Sequence, residues 1–221
     1  MRVCFLSDGN IKELSPCEEE KAAVYLCGFA GSEAVSYEKE LKGQTNFFEE
    51  TALFSKKHKT LVLRGCITDT RGYQRKSVVV AENGRLKGVS DMLNVMDGEM
   101  SSGAALRLYE TEIGRIGIVV SEDLAFPELF KSLALCGADY IACLFHGRAE
   151  NVQRALLCAN AYCFGVPILY CANGYSMVAN VAGEIEFASP QASVFYDLKT
   201  VKEYHLIETR SRGCYRRQKK T

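Results

Sequence analysis

The sequence predicts an α/β protein in which two mixed β-sheets pack face to face with helices on their outer surfaces. Three observations carry this. Short β-rich runs far outnumber helix-length segments, too many strands for a doubly wound nucleotide-binding sheet. The helical segments lie near the middle of the chain, with hairpin-like strand pairs before and after them. The phosphate fingerprints of nucleotide-binding folds are also absent, since neither GxGxxG after the first strand nor GxxxxGK(S/T) occurs.

Taken in order, Arg2–Leu6 and Ala23–Cys27 read as buried strands, separated by a polar stretch (Asp8–Lys21) with room for about two helical turns. Thr45–Lys57 reads as a helix, with Phe47, Phe48, Ala52 and Phe54 along one side and a basic KKHK end suited to a helix C-terminus. Thr60–Thr68 is a strand. Lys76–Ala81 and Arg85–Ser90 flank Asn83-Gly84, a strong hairpin signal because both turn positions favour residues that tolerate positive φ. Strands follow at Leu106–Glu110 and Gly114–Ser121. Pro127 then opens a helix to Leu135, its missing N–H costing nothing in the first turn. Ala138–Phe145 is a strand. Val152, Ala155, Leu156, Ala159 and Tyr162 define the apolar face of a helix over Ala149–Cys163. Strands are expected at Pro167–Cys171, Ser176–Val181, Glu184–Ala188, Ala192–Asp197 and Glu203–Glu208. No repeat or linker divides the chain, so one domain is expected over 1–212, with a basic tail over 213–221.

The 221 residues carry 27 basic and 27 acidic side chains, a net charge of zero, which offers no global field for nucleic acid or an anionic membrane. No apolar run approaches the roughly 20 residues that span a bilayer, and the first residues lack the long apolar region of a secretory signal. Neither nucleic acid nor membrane is therefore an expected partner. Ten cysteines sit mostly inside apolar runs, with no CxxC and three histidines (His58, His146, His205) to complete a metal site. They read as reduced, buried packing residues of a cytoplasmic protein, with no metal and no cofactor expected.

Gly114–Ala138, GRIGIVVSEDLAFPELFKSLALCGA, resembles the core motif of the nitrilase (carbon–nitrogen hydrolase) superfamily. In that motif a strand ends in the nucleophilic Cys, followed by an acidic residue, F/Y-P-E, a helix and GA-D. The resemblance extends to ENGRLKGVSDML (Glu82–Leu93), similar to the family's hairpin and lysine loop. It includes Ala159–Asn173, similar to its RAxEN helix and next strand, and the late hairpin Gly174–Ser189 with Gly183 at the turn. Arg210 fits an arginine near the family's end. The resemblance covers Ala23 to Arg212 and implies a four-layer αββα sandwich, usually dimeric. It also implies hydrolysis of C–N bonds by a Glu-Lys-Cys triad, in which the thiolate attacks, Glu moves protons and Lys holds the oxyanion.

At the three triad positions this sequence departs from the family. Ser121 stands at the Cys position, and a serine hydroxyl is inert without a base beside it. Counting from Gly84 and Gly88, Asp91 falls at the Lys position, with the wrong charge for an oxyanion. Gly28 falls at the Glu position. The RAxEN polar positions fall on Asn160, Cys163 and Phe164, so a polar network is replaced by apolar packing.

Other residues could line a pocket: Glu33 folding back toward the site, Glu99 as a supporting glutamate, Glu122 beside Ser121, and His146 after its strand as a base. Asp123 stands at the family's acidic position, and Glu128 matches a glutamate with a structural role. Tyr73-Gln74-Arg75-Lys76 imitates the lysine motif but sits one element too early, and Lys87 is a weak candidate for a displaced oxyanion group. The functional expectation is a nitrilase-like pseudoenzyme with a binding or assembly role. It would act as a homodimer, with an unknown small molecule at the vestigial site or none. The alternatives are a C–N hydrolase rebuilt around Ser121, and a scaffold that pairs with a related active hydrolase.

Overall fold

The computed structural model describes residues 1–11, 21–29, 31, 33–96, 98 and 100–199. The expected strand at Glu203–Glu208, Arg210, the basic tail, Cys17, Cys214 and the candidate Glu99 lie outside the described residues.

The first sheet holds β1 (Arg2–Leu6), β2 (Val24–Cys27), β4 (Leu61–Thr70), β5 (Tyr73–Glu82), β6 (Arg85–Asp91) and β13 (Ser193–Asp197), in the order β13-β1-β2-β4-β5-β6. A two-residue strand, β3 (Val35–Ser36), pairs with the far end of β4. The second sheet holds β7 (Leu108–Thr111), β8 (Gly114–Val120), β9 (Tyr140–Leu144), β10 (Ile168–Ala172), β11 (Tyr175–Ala179) and β12 (Ile185–Ser189), in the order β12-β11-β10-β9-β8-β7. Both sheets are mixed. β1, β2 and β4 run parallel, as do β8, β9 and β10, while the outer strands are antiparallel.

Period-2 alternation builds the layers. In β1, Val3 and Phe5 face the second sheet, meeting Ile118, Val120, Leu144 and Leu169 in the central core. Cys4 and Leu6 point the other way, with Tyr25, Cys27 and Val62, onto Phe54 of α2 (Phe47–His58). The outer face of the second sheet packs on α3 (Pro127–Leu135) and α4 (Asn151–Phe164) through Phe130, Leu133, Leu157 and Ala161. The layers are therefore helix, sheet, sheet, helix.

Caps set the helix ends. A short α1 (Tyr37–Leu41), absent from the expected elements, starts at Ser36. In α2 the last turn carries Lys56, Lys57 and His58, as expected, and the helix closes on left-handed Lys59. Pro127 opens α3. In α4, Glu150 and Gln153 form a reciprocal capping box and Gly165 (φ 62°) ends the helix. The β5–β6 turn is Asn83-Gly84 (φ 50° and 87°).

Two sequence expectations are corrected. The buried face of α4 is not the apolar stripe. Gln153, Leu157, Asn160 and Ala161 are buried, whereas Val152 and Tyr162 are 54% and 43% exposed. Polar groups hold that face inward: Gln153 serves the cap, and Asn160 Nδ2 donates to the Leu124 carbonyl at 3.3 Å. The second correction is that β5 begins at Tyr73 rather than Lys76, which places Lys76 inside the sheet rather than at its edge.

Candidate functional site

β8 ends at Val120, and Ser121 opens a 3₁₀ turn (Ser121–Ala125) leading into α3. Ser121 adopts φ 51°, a left-handed conformation that costs a non-glycine residue about 1 kcal/mol or more, so the surrounding structure imposes it. Its side chain is fully buried, and its Oγ accepts a hydrogen bond from the backbone N–H of His146 at 3.3 Å.

Lys76 and Glu122 close around this serine. Lys76 is 5% exposed, and its Nζ donates to Glu122 Oε1 in an ion pair. Burial pushes the Glu122 carboxyl up, but the Lys76 ammonium and the Ser121 hydroxyl beside it outweigh burial and hold the group below its ordinary value. Its second oxygen, Oε2, is buried and has no hydrogen-bond partner among the described residues. His146 belongs to the same cluster. Its imidazole is shifted down first by burial and then by the Lys76 charge, with Glu122 opposing, and its ring meets Phe29 edge-on at 5.1 Å.

Lys76 is therefore the residue whose place beside the Ser121 turn sequence spacing hid. It lies on the strand before the expected lysine loop, yet its ammonium reaches the turn that carries Ser121. The lysine-like letters of Tyr73–Lys76 were the available signal.

The other candidates sort clearly. Gly28 has no room for a side chain, because a Cβ would stand 2.7 Å from the Ser7 carbonyl oxygen. The next residue, Phe29, fills the neighbouring space against Gly65 and His146. Asp91 accepts a hydrogen bond from Ser77 Oγ at 2.7 Å and is half-buried. Lys87 is held on the hairpin by Glu82 (2.9 Å) and the Glu110 carbonyl (2.9 Å), so it is committed elsewhere. Glu33 is exposed, as is Glu128 in the first turn of α3.

Asp123 organises the loop after β6. It accepts from Leu93 N–H (2.9 Å), Asn94 N–H (2.8 Å) and Asn94 Nδ2 (2.9 Å), although burial outweighs these donors and raises its pKa. Among the described residues no group of three or more His, Cys, Asp or Glu is placed to hold a metal ion, and no helix is long and apolar enough to cross a membrane.

No protein-family model matches the chain. Solved structures do. An amidase of the nitrilase superfamily from Nesterenkonia sp. superposes with TM-score 0.70 at 14% identity, covering 88% of both chains. Nit3 of Saccharomyces cerevisiae superposes with TM-score 0.69 at 13% identity over 88% of both chains. A carbon–nitrogen hydrolase from Helicobacter pylori gives TM-score 0.65 at 17% identity, covering 79% of this chain and 77% of that one.

The chain has the nitrilase-superfamily fold. Two curated proteins support the same assignment by sequence. A probable nitrilase of Schizosaccharomyces pombe is 34% identical over 67 residues, 29% of this chain and 25% of that protein. An apolipoprotein N-acyltransferase of Nostoc sp. is 23% identical over 146 residues, 61% of this chain and 26% of that protein. The chain spans about a quarter of the length of the curated relatives it matches. In this nitrilase fold Ser121 sits at the strand-to-helix turn, with Lys76, Glu122 and His146 around it.

Proposed function

We propose that this protein is a nitrilase-superfamily pseudoenzyme: thiol-dependent C–N hydrolysis is lost and the role is binding or assembly, as a cytoplasmic homodimer. One observation carries the reading. The nucleophile turn presents a fully buried serine, and the charges beside it, Lys76 and Glu122, neutralise each other. A carboxylate held below its ordinary pKa is a weak base for a serine hydroxyl. Gly28, placed at the glutamate position by the resemblance, cannot hold an acid without moving the Ser7 backbone. Purified full-length protein is expected to show no turnover on ω-amides, N-carbamoyl compounds, short aliphatic amides and nitriles. Turnover that disappears in Ser121→Ala would overturn the proposal.

A second reading has its own observation. The strained left-handed Ser121, with a lysine and a glutamate nearby, supports a hydrolase rebuilt around the serine. Stoichiometric labelling of Ser121 by a fluorophosphonate would favour that reading; an unlabelled serine in folded protein would favour the pseudoenzyme. The scaffold alternative is separated from both by mass measurement of the purified protein and of the same protein drawn from host lysate.

A further inference from the structure

A groove of about 730 Å³ lies outside the Ser121 cluster, between the loop that joins β9 to α4 and the turn that joins β10 to β11. Its volume falls within the range of small-molecule sites. Arg148 and Arg154 line it, together with Asn151, Asn173, Tyr175 and Met177. Among the described residues neither arginine makes an ion pair or a hydrogen bond. Two guanidinium groups with ten N–H donors between them thus face one cavity with no partner among the described residues.

The one carboxylate among the lining residues is Glu150, and it is committed. Its side chain accepts the Gln153 backbone N–H in the α4 capping box, while its own N–H donates to Gln153 Oε1 at 2.8 Å. The two walls are fastened together, because the Asn173 N–H donates to the Gly147 carbonyl at 3.0 Å. The groove is therefore defined by tied backbone rather than by two independent loops. Its lining is mixed in character: half-buried Tyr175 and the edge of buried Met177 add apolar surface to the two cationic forks.

We propose that this groove binds a small organic anion. A carboxylate or phosphate group is held by Arg148 and Arg154, and the apolar part lies on Tyr175 and Met177. The planar guanidinium matches either anion bidentately, which is the shared chemistry of the two ligand classes. The site requires no reaction at Ser121 and stands whether or not that serine is reactive.

Calorimetric titration of the full chain at low ionic strength tests this, using phenyl phosphate, benzoate and inorganic phosphate as probes against a sodium chloride control of equal ionic strength. Phenyl phosphate or benzoate is expected to bind saturably at one site per chain. Arg148→Gln/Arg154→Gln is expected to weaken that binding by about tenfold or more. Because both arginines are exposed, the double variant should keep the wild-type melting temperature, so the loss does not reflect unfolding. Glu150→Gln keeps an oxygen at the cap and removes the opposing carboxylate, and it should tighten binding. No saturable binding by either organic probe, or equal binding in the double variant, overturns the proposal. Inorganic phosphate binding as tightly as phenyl phosphate would overturn its apolar half.

Discussion

Removing the Lys76 ammonium while leaving Glu122 in place tests whether the site is sealed. The Lys76 side chain is 7% exposed and that of Glu122 is 23% exposed, so the pair lies largely outside solvent. Breaking a buried ion pair from one side costs about 3–5 kcal/mol, because the remaining charge is stranded. Partial exposure of Glu122, and its freedom to take up a proton, place Lys76→Met at about 2–3 kcal/mol. For a chain of this size that corresponds to a fall in Tm of roughly 4–12 °C. Glu122→Gln strands Lys76 instead and should cost a similar amount. The double variant removes both charges and should be less destabilised than the sum of the two by about 2 kcal/mol.

Urea unfolding followed by circular dichroism measures all three variants. Acid adds a second readout. Glu122 is held below its ordinary value of 4.5, so its stabilisation is fully present above that pH. It is lost as pH falls through the lower value in the folded protein. Glu122→Gln should therefore be closer to wild type in acid than at pH 7. Single variants that each cost under about 0.5 kcal/mol and add without coupling would refute the reasoning, because solvent-screened surface pairs behave that way.

Two further predictions concern packing. Gly28→Ala places a Cβ 2.7 Å from the Ser7 carbonyl oxygen, where backbone rather than a yielding side chain must move; a cost of about 1–3 kcal/mol is expected, and an unchanged Tm would sink this account of the position. Thiol reactivity should follow burial. Cys136 and Cys163 are exposed and should label rapidly in native protein, whereas Cys4, Cys27, Cys66, Cys143 and Cys171 are buried and should label only on unfolding, as read by peptide mapping. Burial pushes the Cys66 and Cys171 thiols up to about 12, which also removes the reactive thiolate; rapid native labelling at either would contradict the buried assignment.

Much of the layer structure was legible because it is written locally. The unbroken apolar run Val3-Cys4-Phe5-Leu6 marks a strand buried on both faces, Asn83-Gly84 marks a turn that needs positive φ, and Pro127 marks a helix start. The resemblance around Phe126-Pro127-Glu128 carried the fold further than periodicity could. The buried face of α4 does not show in the apolar pattern because Gln153 and Asn160 are polar, and only their partners, the helix cap and the Leu124 carbonyl, explain their burial.

The sequence by itself marked most of the described strands, the helices α2, α3 and α4, and the serine that follows β8, since each depends on residues close together in the chain. Tertiary structure alone decided what surrounds that serine. Lys76 and Glu122 are 46 residues apart, and Ser121 and His146 are 25 apart. Lys76 meets Glu122 because the first sheet is set against the second, and Ser121 meets His146 because β8 and β9 lie side by side in the second sheet. β5 begins three residues earlier than its pattern suggests, which carries Lys76 into the sheet. The same layering leaves Gly28 no space beside Ser7 and puts Arg148 and Arg154 on one groove.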